Sequence, residues 1–271
     1  MTFEFLDALK ALPSGAIVGV IGDTGSGVEE LLGAPGPNVR VLTAGEVAAL
    51  DALQRLQLSS DLRREGRTVL IATHEQDLLR RLCDEVWWVA GGKVQAKGDP
   101  SEALAGYARH VSERLRSETK GCAALSPSLR RGDGRAEVVS LQTLGSKGEP
   151  TMVWNSGELV SVRIAVKFHN AVEDPVVGMM IRTRIGFEVY GTNTELEQLK
   201  LGPCSAGEER VVTFSFRCDL CPQEYTLTAA SHDPDGVWHD WLEDALAFSV
   251  ADTRYTAGVA NLQATAKVDP S

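Results

Sequence analysis

No stretch of this 271-residue chain approaches the roughly 18–20 consecutive apolar residues of a membrane-spanning helix. The opening Met1-Thr-Phe-Glu-Phe5 also lacks the basic segment ahead of an apolar run that marks a secretory leader, so none is expected. Basic residues are in short supply. Lys and Arg number 27 against 37 Asp and Glu, a net charge of −10, which excludes the continuous basic surface that nucleic acid requires. Cysteine is scarce and odd in number (Cys83, Cys122, Cys204, Cys218, Cys221), which suits reduced thiols better than a disulfide framework. These deficits describe a cytoplasmic globular chain, long enough for two domains, with no nucleic-acid partner.

Glycine is plentiful where the first half is organised. The run from Ile17 to Ile21 reads as a buried strand, Gly22-Asp-Thr-Gly-Ser-Gly27 as a glycine-rich turn, and Val28 to Leu32 as a helix start. That is the layout of a phosphate-binding loop, G-x-x-x-x-G-K-[ST], with backbone N–H groups around an anion. The first six positions fit. Val28 stands where the motif needs lysine, and Glu29 where it needs a magnesium-binding hydroxyl. Glu29 and Glu30 also bring negative charge to a helix end that would receive phosphate. Gly22, Gly25 and Gly27 therefore read as the remnant of a nucleotide site.

Strands then alternate with helices, the pattern of a parallel α/β sheet. A strand is expected over 38–42, a helix over 44–64, and a buried strand over 67–73 ending at His74. A helix follows over 75–83, a strand, tight turn and strand over 85–96, and a helix begun by Asp99-Pro100. The order of Arg64-Glu-Gly-Arg-Thr-Val-Leu-Ile-Ala-Thr-His74, Leu82-Cys-Asp-Glu-Val-Trp87 and Gly92-Lys-Val-Gln-Ala-Lys-Gly-Asp-Pro-Ser-Glu-Ala-Leu104 resembles the C-terminal part of an ABC-transporter nucleotide-binding domain. The resemblance places His74 on that family's switch histidine. It also exposes what is missing: the segment between Glu30 and Thr73 is too short for the helical subdomain and its signature motif. Only Glu46 stands near a Walker B carboxylate, and a helix-start role suits it better. Hydrolysis of ATP is not expected, nor is a bound cofactor.

Residues 1–116 thus form a truncated, degenerate ABC-type domain and 117–135 a linker rich in Ser, Arg and Gly. Residues 136–271 form a second domain of short alternating strands. Val162, Ile164, Val166 and Phe168 are one apolar face, and Tyr225, Leu227 and Ala229 another. Leu246, Phe248 and Val250 close the series, with turns such as Asp233-Pro-Asp-Gly236 between strands. This argues an antiparallel β-sandwich, with Trp154 in its core. Cys218-Asp-Leu-Cys221, with Cys204 and His232, has zinc-like spacing, but a lone CxxC with Cys221 at an apolar position is weak, and no metal is expected.

Asn155-Ser-Gly-Glu158, Gly191-Thr-Asn-Thr194 and Tyr225-Thr-Leu-Thr-Ala-Ala-Ser-His-Asp233 before Asp240-Trp241 resemble the C-terminal domain of ATP-binding subunits that export O-antigen polysaccharides. The resemblance implies an immunoglobulin-like sandwich that binds the modified glycan end and dimerises by exchanging its last strand. Val259 to Val268 is the candidate for that strand, either exchanged or paired within the chain. Sugar recognition asks for flat aromatic faces with amides and charged groups beside them. Tyr190, Asn193, Thr194, Arg182 and Arg184 form one candidate group, and His232, Trp238 and Trp241 a second. Each has a plainer reading as core anchor, turn residue or exposed strand face.

The leading expectation is a non-catalytic component of a polysaccharide export system that binds a bacterial surface glycan. Its α/β remnant would serve as a docking or dimerisation platform, with a membrane transporter subunit or an intact ATPase as partner, peripheral to the inner face of the cytoplasmic membrane. The alternatives are an ATPase subunit completed by partner elements and a purely structural interaction protein.

Overall fold

The computed structural model describes residues 11–33, 38–118, 125–252 and 256–268, which fall into two units divided between Val111 and Ser112. The first unit holds a five-stranded sheet of order β2-β3-β1-β4-β5: β1 (Ile17–Ile21), β2 (Val39–Leu42), β3 (Thr68–Ala72), β4 (Glu85–Ala90) and β5 (Lys93–Gly98). The pairs β1–β3, β1–β4 and β2–β3 are parallel, and the β4–β5 hairpin is antiparallel. Period-two alternation sorts β1 between two faces. Ile17 and Ile21 join Val47, Leu58, Leu62, Leu79 and Leu104 from the helices α2 (Ala44–Ala48), α3 (Ala52–Arg64), α4 (Gln76–Leu82) and α5 (Pro100–Glu118). Val18 and Val20 join Leu31 of α1 (Val28–Leu32), with Leu70, Trp87 and Val89. Gly19 lets α4 approach: a Cβ there would stand 2.9 Å from the Leu79 side chain and 3.0 Å from Val86.

One helix expected over 44–64 is two. Asp51 accepts the Gln54 N–H at 2.8 Å while the Gln54 side chain accepts the Asp51 N–H at 2.9 Å. This reciprocal cap starts a new helix where the first one ends. Glu46 makes the same kind of cap with Thr43, its carboxylate accepting the Thr43 N–H at 2.8 Å.

The second unit is a two-sheet sandwich. One sheet runs β11-β10-β13-β14-β6, with β8 also on β14; the other runs β12-β9-β7. The strands are β6 (Leu129–Arg131), β7 (Ala136–Leu144), β8 (Val153–Asn155), β9 (Leu159–Phe168), β10 (Val176–Thr183), β11 (Glu188–Asn193), β12 (Glu209–Arg217), β13 (Glu224–His232) and β14 (Trp238–Ala251). Its pairings are antiparallel except β8 with β14, which is parallel. The alternating apolar sets of β9, β12, β13 and β14 meet in one core around Trp154, Tyr225 and Phe248. Trp154 is fully buried, its indole N–H donating to the Leu144 carbonyl at 3.1 Å.

Two expectations about segments change. The linker read at 117–135 contains the end of α5 and the strand β6, which adds to β14 as Arg131↔Trp241, Arg130↔Leu242 and Leu129↔Glu243. Its Ser and Arg content hid a strand because three exposed residues carry no apolar period. The strand expected over 259–268 is reduced to a single bridge, Leu220↔Ala260, and residues 262–268 run on exposed without a ladder.

Trp154→Ala should cost about 3–5 kcal/mol, the range for emptying a large aromatic site. A urea titration followed by far-UV circular dichroism would measure it.

Candidate functional site

The antiparallel registers line up side chains across the outer face of the larger sheet. Asn193 of β11 pairs with Gly178 of β10, Gly178 with Ala230 of β13, Ala230 with Trp241 of β14, and Trp241 with Arg131 of β6. The two small residues in the middle leave a groove of about 260 Å³. Its aromatic wall is His232, Trp238 and Trp241; Met180, Asn193 and Leu196 stand opposite. The aromatic rings brace each other edge to face, His232 on Trp238 at 4.8 Å and Trp238 on Trp241 at 4.6 Å between centroids. Trp241 donates its indole N–H towards Glu243 at 3.4 Å, and the Arg131 guanidinium lies 5.2 Å from the ring centroid. The lining is mostly apolar with a few polar groups, Asn193, Thr228 and His232, the make-up of a small-ligand site.

A second row of polar groups holds this wall from the core side. The buried His239 ring joins Ser231 Oγ at 3.1 Å to Asp233 Oδ1 at 2.9 Å. Asp233 also accepts from Arg135 at 2.6 Å. Asp240, nearly buried, takes a two-pronged bond from Arg130 at 3.0 and 2.7 Å and the Val138 N–H at 2.8 Å. Partial burial pushes the Asp233 carboxyl up, but the hydrogen bonds from Arg135 and His239 outweigh it, and the net shift is below the ordinary value. Gly132 lies so close to β14 that a Cβ would stand 2.2 Å from the His239 carbonyl oxygen, which its φ of +151° also forbids to other residues.

Asn193, His232, Trp238 and Trp241 therefore come together in the groove, and four other candidates do not. Tyr190 packs on Phe216, 6.0 Å between centroids, on the inner side of its strand. Thr194 is buried, its hydroxyl accepting the Val177 N–H at 3.1 Å. Arg182 is held by Glu243 at 2.7 Å and Glu188 at 3.1 Å, and Arg184 pairs with Glu224 at 3.3 Å on an exposed hairpin. Sequence reasoning missed Gly178, Met180, Leu196, Thr228 and Ala230, which only the register brings to the groove. Cys218 and Cys221 are buried, Cys218 in the core, whereas His232 faces the opposite side of the sheet. Burial drives the Cys218 thiol to about 12.

In the first unit the glycine-rich turn closes on itself. The Ser26 N–H donates to the Asp23 carbonyl at 2.9 Å, the Ser26 carbonyl accepts from Gly92 at 2.7 Å, and Gly25 and Gly27 have φ of +77° and +90°. A Cβ on Gly22 would stand 2.5 Å from Ser26 Oγ and from the Val89 carbonyl. Val28 packs against the cluster of Val18, Val20 and Leu31, and Glu29 is exposed. The Glu30 side chain lies outside the described residues. The Asp23 carboxylate meets His110 of α5 at 3.2 Å, and His74 is exposed just past β3. Among residues 22–29 there is no cation to pair with phosphate oxygens and no free Thr or Ser hydroxyl at the position that binds magnesium.

Comparison with known proteins gives three findings. Residues 127–262 match the family model described as the Wzt C-terminal domain. The chain is 28% identical over 155 residues to the O-antigen export system ATP-binding protein RfbB of Myxococcus xanthus, covering 52% of this chain and 35% of that protein. It is 31% identical over 70 residues to the teichoic acids export ATP-binding protein TagH of Lactococcus lactis subsp. lactis, covering 26% and 15%. A crystal structure of the C-terminal domain of wzt superposes with a TM-score of 0.50 at 22% identity, covering 54% of this chain and 92% of that one, a likeness of fold. The chain spans about a third or less of the length of these curated relatives.

Because the folded Asp233 carboxyl is held below its unfolded value, its stabilisation is complete above about pH 4 and lost as pH falls through the folded value. Thermal midpoints of wild type and Asp233→Asn between pH 2.5 and 6 should differ most at the upper end and converge at the lower.

Proposed function

The chain belongs to the Wzt C-terminal domain family, and on that premise we propose that it is a non-catalytic polysaccharide-binding component of an O-antigen-type ABC export system. The observation that carries this reading is the groove: two half-buried indoles and an imidazole form a wall above a floor of Gly178 and Ala230. A pyranose presents apolar C–H faces and a rim of hydroxyls. The indoles suit the first; Asn193, Thr228 and His232 suit the second. The volume of about 260 Å³ fits one or two sugar units, so the groove would read a chain end or a single residue rather than a long run.

The α/β unit would act as a docking platform on a membrane transporter subunit or a separate intact ATPase, at the inner face of the cytoplasmic membrane. No helix of the described residues is long and apolar enough to cross a membrane. In this reading the unit is a degenerate P-loop domain. The order β2-β3-β1 leaves one strand between the glycine-rich loop strand and β2, which suits β2 as the remnant of a Walker B strand. Val28 and Glu29 supply neither positive charge nor hydroxyl for a nucleotide, so ATP would find no cation there to offset its phosphates. The second reading, an ATP-binding subunit completed by partner elements, is favoured by the relatives, which are ATP-binding proteins of export systems.

Two features support a dimer through the sandwich. Among the described residues, the edge strand β12 pairs only with β9, and residues 262–268 carry Leu262, Ala264, Ala266 and Val268 in alternation without a partner strand.

Isothermal titration with the host's surface polysaccharide should show saturable binding. Trp241→Ala should weaken it by tenfold or more, and Ala230→Leu, which fills the floor, should abolish it; unchanged affinity in both would reject the groove. A fluorescent ATP analogue with magnesium should not bind the chain, and binding in the micromolar range would favour the second reading.

A further inference from the structure

The groove offers a ligand little polarity and no full charge. Among the described residues its lining holds no carboxylate, ammonium or guanidinium. Carboxylates on the surrounding strands and loops have partners of their own. Glu197 accepts the Thr192 hydroxyl at 2.5 Å, Glu243 takes Arg182 at 2.7 Å, and Asp244 accepts the Thr226 hydroxyl at 2.6 Å. The polar side chains of the lining are already engaged on one side. Asn193 Oδ1 accepts the Leu196 N–H at 2.7 Å, which leaves its amide N–H groups to donate. Thr228 Oγ1 accepts the Asp244 N–H at 3.0 Å, which leaves its hydroxyl hydrogen. His232 Nδ1 lies 2.7 Å from the Asp233 carbonyl; a carbonyl only accepts, so Nδ1 carries the proton and Nε2 of the neutral ring accepts. Thr228, Ala230 and His232 occupy every second position of β13, so Thr228 and His232 stand about 13 Å apart along one face. Polarity is confined to the two ends and to Asn193. The middle is Ala230 and Gly178, between the indoles on one side and Met180 and Leu196 on the other.

We propose that the groove selects an uncharged, hydroxyl-poor sugar, a 6-deoxyhexose, over the corresponding hexose, and excludes the corresponding uronic acid. This rests on reading the groove as a sugar site and names the class of sugar it takes. A 6-deoxyhexose carries a methyl group where the hexose carries a hydroxymethyl. Met180 and Leu196 cover a methyl at no cost in hydrogen bonds, whereas a hydroxyl in the same place loses water and finds no partner. A uronate fares worse, because its carboxylate sheds hydration with no cation in the lining to replace it. The two donors and the one acceptor then hold the ring hydroxyls at the ends of the slot. They fix which sugar stereochemistry fits, and the apolar middle fixes how many hydroxyls it tolerates.

The ¹⁵N-labelled full chain, titrated with matched methyl pyranosides, tests this. The set is the galacto and manno series in D and L forms, each as hexose, 6-deoxyhexose and uronate. Burying one unpaired hydroxyl weakens an equilibrium by a factor of about five or more. In the series that binds tightest, the 6-deoxy sugar should therefore bind at least fivefold tighter than its parent hexose and shift the Trp238 and Trp241 indole resonances. The uronate should give no saturable shift. Leu196 is 68% exposed, so Leu196→Arg places a cation on the rim without touching the core. In that variant the uronate should bind and the preference for the 6-deoxy sugar should shrink. A hexose or uronate that binds wild type as tightly as the 6-deoxy sugar, with the same indoles shifting, would overturn the class while the groove stayed a sugar site. A uronate still excluded from Leu196→Arg would overturn the part given to charge. If no glycoside shifts either indole in wild type or variant, the sugar reading itself fails and the class falls with it.

Discussion

A two-residue repeat governs the second unit more than any single contact does. If β13 slid one residue along β14, Tyr225, Leu227 and Ala229 would leave the core, and His232 and Ala230 would turn into it. The native register is held at two points by side chains rather than by the ladder alone. At the hairpin end Ser231, His239 and Asp233 form a hydrogen-bonded chain. Midway along the pair, β14 carries extra residues opposite Thr228, with Asp244 at a φ of +48°. That bulge is fixed by Thr226, which donates to the Asp244 carboxylate at 2.6 Å, and by Thr228, which accepts the Asp244 N–H at 3.0 Å. Between these two fixtures Trp238 and Trp241 have little freedom to face anything but solvent and one another.

The polar groups below the groove do more than satisfy themselves. Asp240 is nearly buried, and a carboxylate there is costly unless its oxygens are used. The two bonds from Arg130 and one from the Val138 amide use them, and in doing so bring strands from both sheets onto β14. Arg135 repeats the device on Asp233. The turn from Gly132 to Arg135 is thereby pulled tight over the start of β14, which is why that turn needs a glycine where it crosses His239.

The sequence was most readable where apolar residues keep a strict period. The alternation in β9, β13 and the end of β14 located the sandwich core, Trp154 included. The βα order of the first half gave its parallel sheet. Helix breaks were less visible, because the cap at Asp51 is made by ordinary polar residues inside an apolar rhythm. The candidate site was half readable. His232, Trp238 and Trp241 lie close in sequence on one hairpin, so their gathering needed no knowledge of register. Gly178 and Met180 join them from β10, a strand distant in sequence, and pairing alone brings them there. Tyr190 and Thr194 misled for a related reason: their chemistry suits sugar, but strand parity turns both to the inner side.

The Arg130–Asp240 pair joins residues 110 positions apart. At roughly 5–20 residues per second of ribosomal synthesis, its two halves emerge about 5–20 s apart. For that interval β6 has no β14 to lie against, and the larger sheet lacks both its seam and its aromatic hairpin. The α/β unit, with its strands all made before residue 100, can meanwhile close around its own sheet. The apolar faces of the nascent sandwich therefore stay half-built until β13 and β14, in the last quarter of the chain, have emerged.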